Sequence, residues 1–292
     1  MNYNVLYNPL AGSGNCKSTL DRLASLYGDE FCAHDITKIT DYKELFASLG
    51  ENDAIILCGG DGTLNRFIND TEGIEISCDV LYYPSGSGND FLHDVGKNAD
   101  DAPFKINDYI KDLPIVEING KTYRFLNNVG FGIDGYCCEV GDEQKKVSPK
   151  PVNYTAIAIK GLLFHYKTCG ATVTVDGKEY RYEKVWLAPT MKGRFYGGGM
   201  MPTPDQDRND PEGALSILLF HGSGALKTLM VFPSIFKGEH VKHTDMVAIH
   251  KGHEISVTFD KPAAVQIDGE TIVGVTSYRA ISRVPVAAET KS

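Results

Sequence analysis

The rhythm of apolar and polar positions changes once along the chain, and the change divides it. In the first part, short apolar runs alternate with segments of helical period. Residues 2–9, NYNVLYNP, read as a strand stopped by Asn8-Pro9. Residues 17–27, KSTLDRLASLY, place Leu20, Leu23, Ala24 and Tyr27 on one helix face. FCAHDIT reads as a second strand, and residues 41–49 as a second helix capped by Thr40 or Asp41. DAIILC (53–58) and CDVLYYP (78–84) are near-continuous apolar runs, the pattern of strands buried on both faces. TLNRFIND (63–70) between them reads as a helix. This βαβαβ order predicts a doubly wound α/β domain.

After about residue 114 the period shortens to two. PIVEINGKTYRFLNNVGFG predicts a hairpin turning at Asn119-Gly120, and ATVTVDGKEYRYEKVWLAP another at Asp176-Gly177. GALSILLF, HEISVTFD and AAVQIDGE read as further strands, with one helix inserted at 152–167. The expectation is an α/β domain over 1–118 and a mostly antiparallel β domain over 119–292, with the C-terminal tail returning to the first domain. The cleft between two such domains is the default place for a site.

Composition narrows the partners. The chain has 292 residues and a net charge of −9, with no polybasic stretch that would follow a nucleic acid. It shows no apolar run long enough to span a bilayer and no secretory leader, so a cytoplasmic location is expected. Seven scattered cysteines without a CxxC argue against a disulfide framework. Histidine pairs at 240/243 and 250/253 have a zinc-like spacing, but they fall in loop and strand with nothing to complete a ligand set.

Three loops carry candidate chemistry. In CGGDGTLNRFIND (58–70), Gly59, Gly60 and Gly62 let backbone N–H groups approach phosphate oxygens, and the helix behind them adds partial positive charge. Asp61 would repel a phosphate, so a divalent cation or a proton suits it better, while Thr63 could cap the helix or donate to phosphate. PSGSGNDF (84–91) follows the next buried strand and supplies Ser87, Gly88, Asn89 and Asp90 at the same edge of the sheet. NPLAGSGNCKST (8–19) contributes Asn8 and Gly12 but fails the P-loop pattern, because Cys16 stands where a glycine is required. Farther on, TPDQDRNDPEG (203–213) offers Asp205, Asp207, Asp210 and Glu212 as hard oxygen ligands for Mg²⁺ or Ca²⁺. Read from its flanks alone, Asp268-Gly269 is a second hairpin turn like Asp176-Gly177.

NPLAGSG, GGDGTLN and SGNDF, in this order, resemble the diacylglycerol kinase catalytic-domain family, which is related to the sphingosine kinases. Gly197–Met200 (GGGM), the acidic loop, FKGEHVKH (236–243) and Asp268–Glu270 (DGE) extend the resemblance over about residues 3–275. It implies a phosphofructokinase- or NAD-kinase-like nucleotide domain followed by a β-sandwich. It also implies transfer of the γ-phosphoryl group of ATP, with Mg²⁺, to a lipid hydroxyl. It raises Asp268 to a candidate general base with Glu270 as a metal or proton partner, in competition with Asp61. A structural Mg²⁺ near the acidic loop is implied too, although Pro211 separates Asp210 from Glu212 where the family has two adjacent aspartates. A lipid substrate, transient peripheral contact with the inner membrane face and no nucleic-acid partner follow, and homodimerisation stays open. An NAD kinase shares GGDGT, and a regulator that binds nucleotide without catalysis is the other alternative.

Overall fold

The computed structural model describes residues 2–9, 16–86, 88–148 and 152–283, and it divides into two compact units, Met1–Asp112 and Leu113–Ser292. The C-terminal tail beyond residue 283, expected to return to the first domain, lies outside the described residues.

The N-terminal unit runs β1 (Tyr3–Tyr7), α1 (Cys16–Tyr27), β2 (Phe31–Asp35), α2 (Tyr42–Ala47), β3 (Ala54–Gly59), α3 (Asp61–Asp70), β4 (Asp79–Pro84), α4 (Asp90–Asp94), β5 (Phe104–Lys105) and α5 (Asn107–Ile110). Its sheet has the order β2-β1-β3-β4-β5, parallel throughout except for β5. Every residue of β3 is buried, as its unbroken apolar run predicts for a central strand covered on both faces. Asp41 caps α2 by accepting from the amides of Lys43 and Glu44. The strand order changes direction between β1 and β3. The carboxyl ends of β1, β3 and β4 are therefore neighbours at the switch point of the sheet, where such folds bind ligands.

The C-terminal unit begins with the hairpin β6 (Ile115–Ile118) and β7 (Lys121–Arg124). There follow β8 (Asn128–Gly132), α6 (Ile133–Val147), α7 (Tyr154–Lys160) continuing into a π turn (Gly161–His165), β9 (Cys169–Val175), β10 (Lys178–Val185), β11 (Leu187–Met191) and β12 (Leu215–Phe220). It ends with α8 (Ala225–Val231), two 3₁₀ segments (Phe232–Lys237 and Glu239–Lys242), β13 (Val247–Gly252), β14 (Glu254–Ile267) and β15 (Glu270–Ile281). Among the described residues its ten strands pair antiparallel throughout.

HEISVTFD and AAVQIDGE, read as two strands, are one. β14 pairs β9 through its first half and β8 through its last residues, with register shifts around Asp260-Lys261-Pro262. Proline removes a ladder donor there without ending the extended backbone. The strand thus serves both layers of a sandwich whose core includes Phe131, Val173, Ile217, Val257 and Val265.

Helix α6 had no counterpart in the apolar periodicity. Gly135 and Gly141 conceal it, and both sit where the helix touches its neighbours. A Cβ on Gly135 would lie 2.1 Å from the Ala264 carbonyl oxygen, and one on Gly141 would lie 2.6 Å from the Tyr154 ring. Among the described residues no helix is long and apolar enough to cross a membrane.

Candidate active site

The loops after β3 and β4 are built against each other. The Gly59 carbonyl accepts from the Ser85 amide at 2.9 Å and from the Tyr82 hydroxyl at 3.0 Å. A Cβ on Gly60 would stand 3.0 Å from the Gly86 Cα, and a Cβ on Gly86 only 2.5 Å from the Gly60 Cα. The two backbones touch, and only glycine permits it at both positions. Gly60 is also the N-cap of α3, its carbonyl accepting from the amides of Thr63 and Leu64. Thr63, in the first turn of α3, is buried. A Cβ on Gly59 would meet its Oγ1 at 2.3 Å, and that buried hydroxyl has no hydrogen-bond partner among the described residues.

Asp61 ties the same two loops by charge. Its Oδ2 accepts from the Asp90 amide at 2.9 Å and its Oδ1 from the Phe91 amide at 3.0 Å. Those amides open α4, whose own N-cap residue, Asn89, lies in the left-handed region (φ +52°) and makes no side-chain cap. The Asn89 Nδ2 donates instead to the Gly86 carbonyl at 3.0 Å. The carboxylate of one loop thus performs the capping that the other loop lacks, favoured by the positive end of the helix. Asp90 is buried in the first turn of α4, Gly88 precedes it, and Asn8 follows β1 at the same edge. Gly12 and Ser87 lie outside the described residues.

In the C-terminal unit a second carboxylate does similar work. Asp268 occupies the β14–β15 turn in the left-handed region (φ +47°) and is buried. Its Oδ2 accepts from the Leu126 amide at 2.6 Å, and its Oδ1 from the amides of Asn127 and Asn128 at 2.7 and 3.0 Å. Arg208, also buried, grips the same segment from its carbonyl side. It donates to the Leu126 carbonyl and to the Asn127 Oδ1, both at 2.6 Å. A carboxylate and a guanidinium therefore clamp one stretch of peptide between them. Glu270, two residues after Asp268, is exposed.

Arg208 comes from the acidic loop, whose side chains alternate. Gln206 and Arg208 point inward, while Asp205, Asp207 and Asn209 are exposed. Gln206 donates to the Ala214 carbonyl and accepts from the Ser216 hydroxyl. Asp207 and Asp210 accept from the amides of Asn209 and Glu212, closing local turns. The Lys251 ammonium, 2.5 Å from Asp210, holds that carboxyl below its ordinary range. Asp205, Asp207, Asp210 and Glu212 do not converge, and no group of three or more His, Cys, Asp or Glu side chains among the described residues is placed to hold a metal ion. Of the paired histidines, His240 is buried against the Pro202 carbonyl and His250 stacks on Tyr180.

Asp134 is a buried acid that the sequence reading did not single out. Asp134, the second residue of α6, is enclosed, and burial pushes its carboxyl up to about 6. Gln266 donates to its Oδ2 at 3.3 Å, while Oδ1 is buried with no hydrogen-bond partner among the described residues. The available signal was Asp134-Gly135, an Asp-Gly pair placed after a strand without a second strand to follow it.

The comparisons with known proteins agree on a family. Residues 2–114 match the model of the diacylglycerol kinase catalytic domain, and residues 127–287 that of the YegS C-terminal NAD kinase beta sandwich-like domain. A diacylglycerol kinase of Bacillus subtilis (strain 168) is 24% identical over 278 residues, covering 91% of this chain and 88% of its own. One of Mycobacterium tuberculosis (strain ATCC 25618 / H37Rv) is 26% identical over 305 residues, covering 98% and 93%. A solved diacylglycerol kinase structure from Bacillus anthracis str. Sterne superposes with a TM-score of 0.59 at 20% identity, over 97% of this chain and 94% of that one.

Proposed function

Because the chain belongs to the diacylglycerol kinase catalytic-domain family, with a YegS-type β-sandwich as its second part, we propose that it transfers the γ-phosphoryl group of ATP to the hydroxyl of a lipid, diacylglycerol or a close relative. The observation that carries the proposal is the locked pair of glycine loops at the carboxyl edge of the parallel sheet, Gly59, Gly60 and Asp61 against Ser85, Gly86, Asp90 and Phe91.

The residues fit a nucleotide. Side-chain-free backbone at Gly59, Gly60 and Gly62 opens a ten-residue helix, and phosphate oxygens are favoured at that end. Mg²⁺ carried in with the nucleotide would neutralise charge on the β- and γ-phosphates and needs only one or two protein carboxylates. Asp61, with Asp90 behind it, is the carboxylate we assign to that side of the site. Its second task is to keep the two loops at a fixed spacing, since phosphoryl transfer depends on positioning more than on covalent help. We assign acceptance of the lipid hydroxyl's proton to Asp268, which three amides hold in one orientation, with Glu270 as the acid beside it on the turn. The acidic loop, closed by Arg208, Gln206 and Lys251, needs no divalent ion to explain its shape.

The test is incubation with γ-labelled ATP, Mg²⁺ and three acceptors: diacylglycerol, a sphingoid base and NAD. Label is expected in a lipid. Label in NAD alone overturns the proposal, and nucleotide binding without transfer to any acceptor replaces it with a regulatory role.

A further inference from the structure

A backbone carbonyl and an asparagine side-chain oxygen are ligands of the kind that a hard divalent cation takes. The Leu126–Asn127 segment offers one of each, and a side-chain cation has both. From its buried position the Arg208 guanidinium donates to the Leu126 carbonyl and to Asn127 Oδ1, each at 2.6 Å. The carbonyl of Asn127 is engaged as well, by the Lys192 and Gly193 amides at 2.8 and 3.3 Å.

The carboxylates of the acidic loop are disposed the other way. Asp205, Asp207 and Glu212 are exposed, and Asp207 closes a turn on the Asn209 amide. Asp210 is the least exposed of the four. It has the Lys251 ammonium at 2.5 Å, and the charge of the buried Lys192 acts on it too. A divalent ion entering here would have to displace a guanidinium from its oxygens and an ammonium from its carboxylate. It would do so beside the positive charges of Arg208, Lys192 and Lys251. The structural Mg²⁺ that the resemblance implies for this loop does not fit these residues.

We propose that Arg208 is the resident cation of the loop, taking the part implied for a divalent ion: it ties the loop to Leu126 and Asn127 and so fixes the segment whose amides orient Asp268. A guanidinium belongs to the chain and keeps its charge at any pH the fold meets, so the tie depends on neither metal concentration nor pH. Its planar fork serves two oxygens at once, which an ammonium does less well. Asp268 holds the N–H side of the segment and Arg208 the carbonyl side. Arg208 is thereby a positioning residue for Asp268. That Asp268 accepts the acceptor's proton rests on the lipid-kinase reading above, whereas the replacement of the metal does not.

The experiment has two arms, both on the full-length protein. The first, without nucleotide, measures the metal content of the purified protein and its thermal denaturation in EDTA, in millimolar Mg²⁺ and in millimolar Ca²⁺. No stoichiometric divalent ion and one common midpoint are expected. A stoichiometric ion whose removal lowers the midpoint overturns the proposal. The second arm compares wild type with Arg208→Lys, which keeps the charge and loses the fork, and Arg208→Gln, which loses both. The midpoint should fall in that order. With diacylglycerol as acceptor, kcat should fall in the same order, by roughly tenfold or more in Arg208→Gln, while KM for ATP holds. A wild-type midpoint and kcat in Arg208→Gln overturn the proposal. A lowered midpoint with wild-type kcat overturns the positioning role and supports the tie. If neither variant folds, the metal arm decides. Wild type that phosphorylates no acceptor sinks the lipid-kinase reading, and the denaturation measurements still decide whether Arg208 has replaced the ion.

Discussion

The turns at Asp176-Gly177 and Asp268-Gly269 are built alike and do different things. Each joins two antiparallel strands of the C-terminal unit, each aspartate has φ +47°, and the glycines follow at +80° and +93°. The backbone asks the same of both, a left-handed pair that Asp-Gly supplies. The difference lies in what the carboxylate holds once the turn is made. Asp176, half exposed, accepts from the amides of His253 and Glu254. Asp268, buried, collects three amides of a segment that Arg208 clamps from the other side. Two further Asp-Gly pairs, Asp61-Gly62 and Asp134-Gly135, open helices instead of joining strands. One dipeptide thus occurs in four settings, and its consequences depend on burial and on the donors it meets. Substitution should rank the four.

Asp268 should cost most. Asp268→Asn turns one oxygen into an amide nitrogen that faces an N–H donor, and Asp268→Ala leaves three buried amide donors without their acceptor. A loss of about 3–5 kcal/mol is expected, read from the denaturation midpoint, with phosphoryl transfer gone. A wild-type midpoint for Asp268→Asn would mean that the clamp is not what the turn is for. If transfer alone were lost, the base assignment would stand by itself.

Asp134 comes next and carries its own pH signature. Its carboxyl is pushed up to about 6, so the folded state holds a proton that the unfolded chain, at an ordinary carboxyl near 3.8, has released. Stability from this group is present at low pH and is lost as pH rises through 6, by ~3 kcal/mol in all. Asp134→Asn removes the ionisation and should melt higher than wild type at pH 8, the two converging near pH 4. Parallel melting curves across that range would place the proton elsewhere.

How much of this was readable beforehand follows from distance along the chain. Local signals worked: the unbroken apolar run of β3, the hairpin at Asn119-Gly120, and the pairing of GGDG with SGND at one edge of a parallel sheet. Bonds made across the fold left no period to detect. Asp61 reaches its amides 29 and 30 residues on, and Asp268 meets Leu126 across 142. α6 was hidden by the glycines that let it touch β14 and Tyr154, because the contact needs residues that propensity counts against a helix. Arg208 was hidden by composition. A loop rich in aspartate reads as solvated or metal-binding until its period-two alternation shows Gln206 and Arg208 facing in.

Asp61 should be less costly to stability than either buried acid and more costly to activity than its own energetics suggest. Asp61→Asn keeps one of two bonds to α4 and should lose about 1–2 kcal/mol, the scale of a helix cap. Transfer should fall by roughly two orders of magnitude or more as the loops shift and the phosphate side loses its carboxylate. Gly86→Ala, whose Cβ would stand 2.5 Å from the Gly60 Cα, should lower ATP affinity with every carboxylate intact. Unaltered nucleotide binding by that variant, measured by titration calorimetry, would detach the loop contact from the nucleotide site.

Asp176 should matter least, for a reason visible in its oxygens. Both bonds can be served by Oδ1, which accepts from the His253 amide at 2.9 Å and from the Glu254 amide at 2.8 Å. An asparagine offers the same oxygen, and asparagine before glycine suits the turn equally well. Its amide nitrogen would replace Oδ2, which receives only the longer, shared branch of the His253 amide's bond, at 3.1 Å. Asp176→Asn is therefore expected to stay within about 0.5 kcal/mol of wild type and to keep full activity. The contrast with Asp268→Asn isolates one variable, because the backbone and the substitution are the same. What differs is whether the donors need one carboxylate oxygen or two. Comparable losses in the two variants, measured by denaturation in the same buffer, would show that the turn, and not the oxygen count, sets the cost.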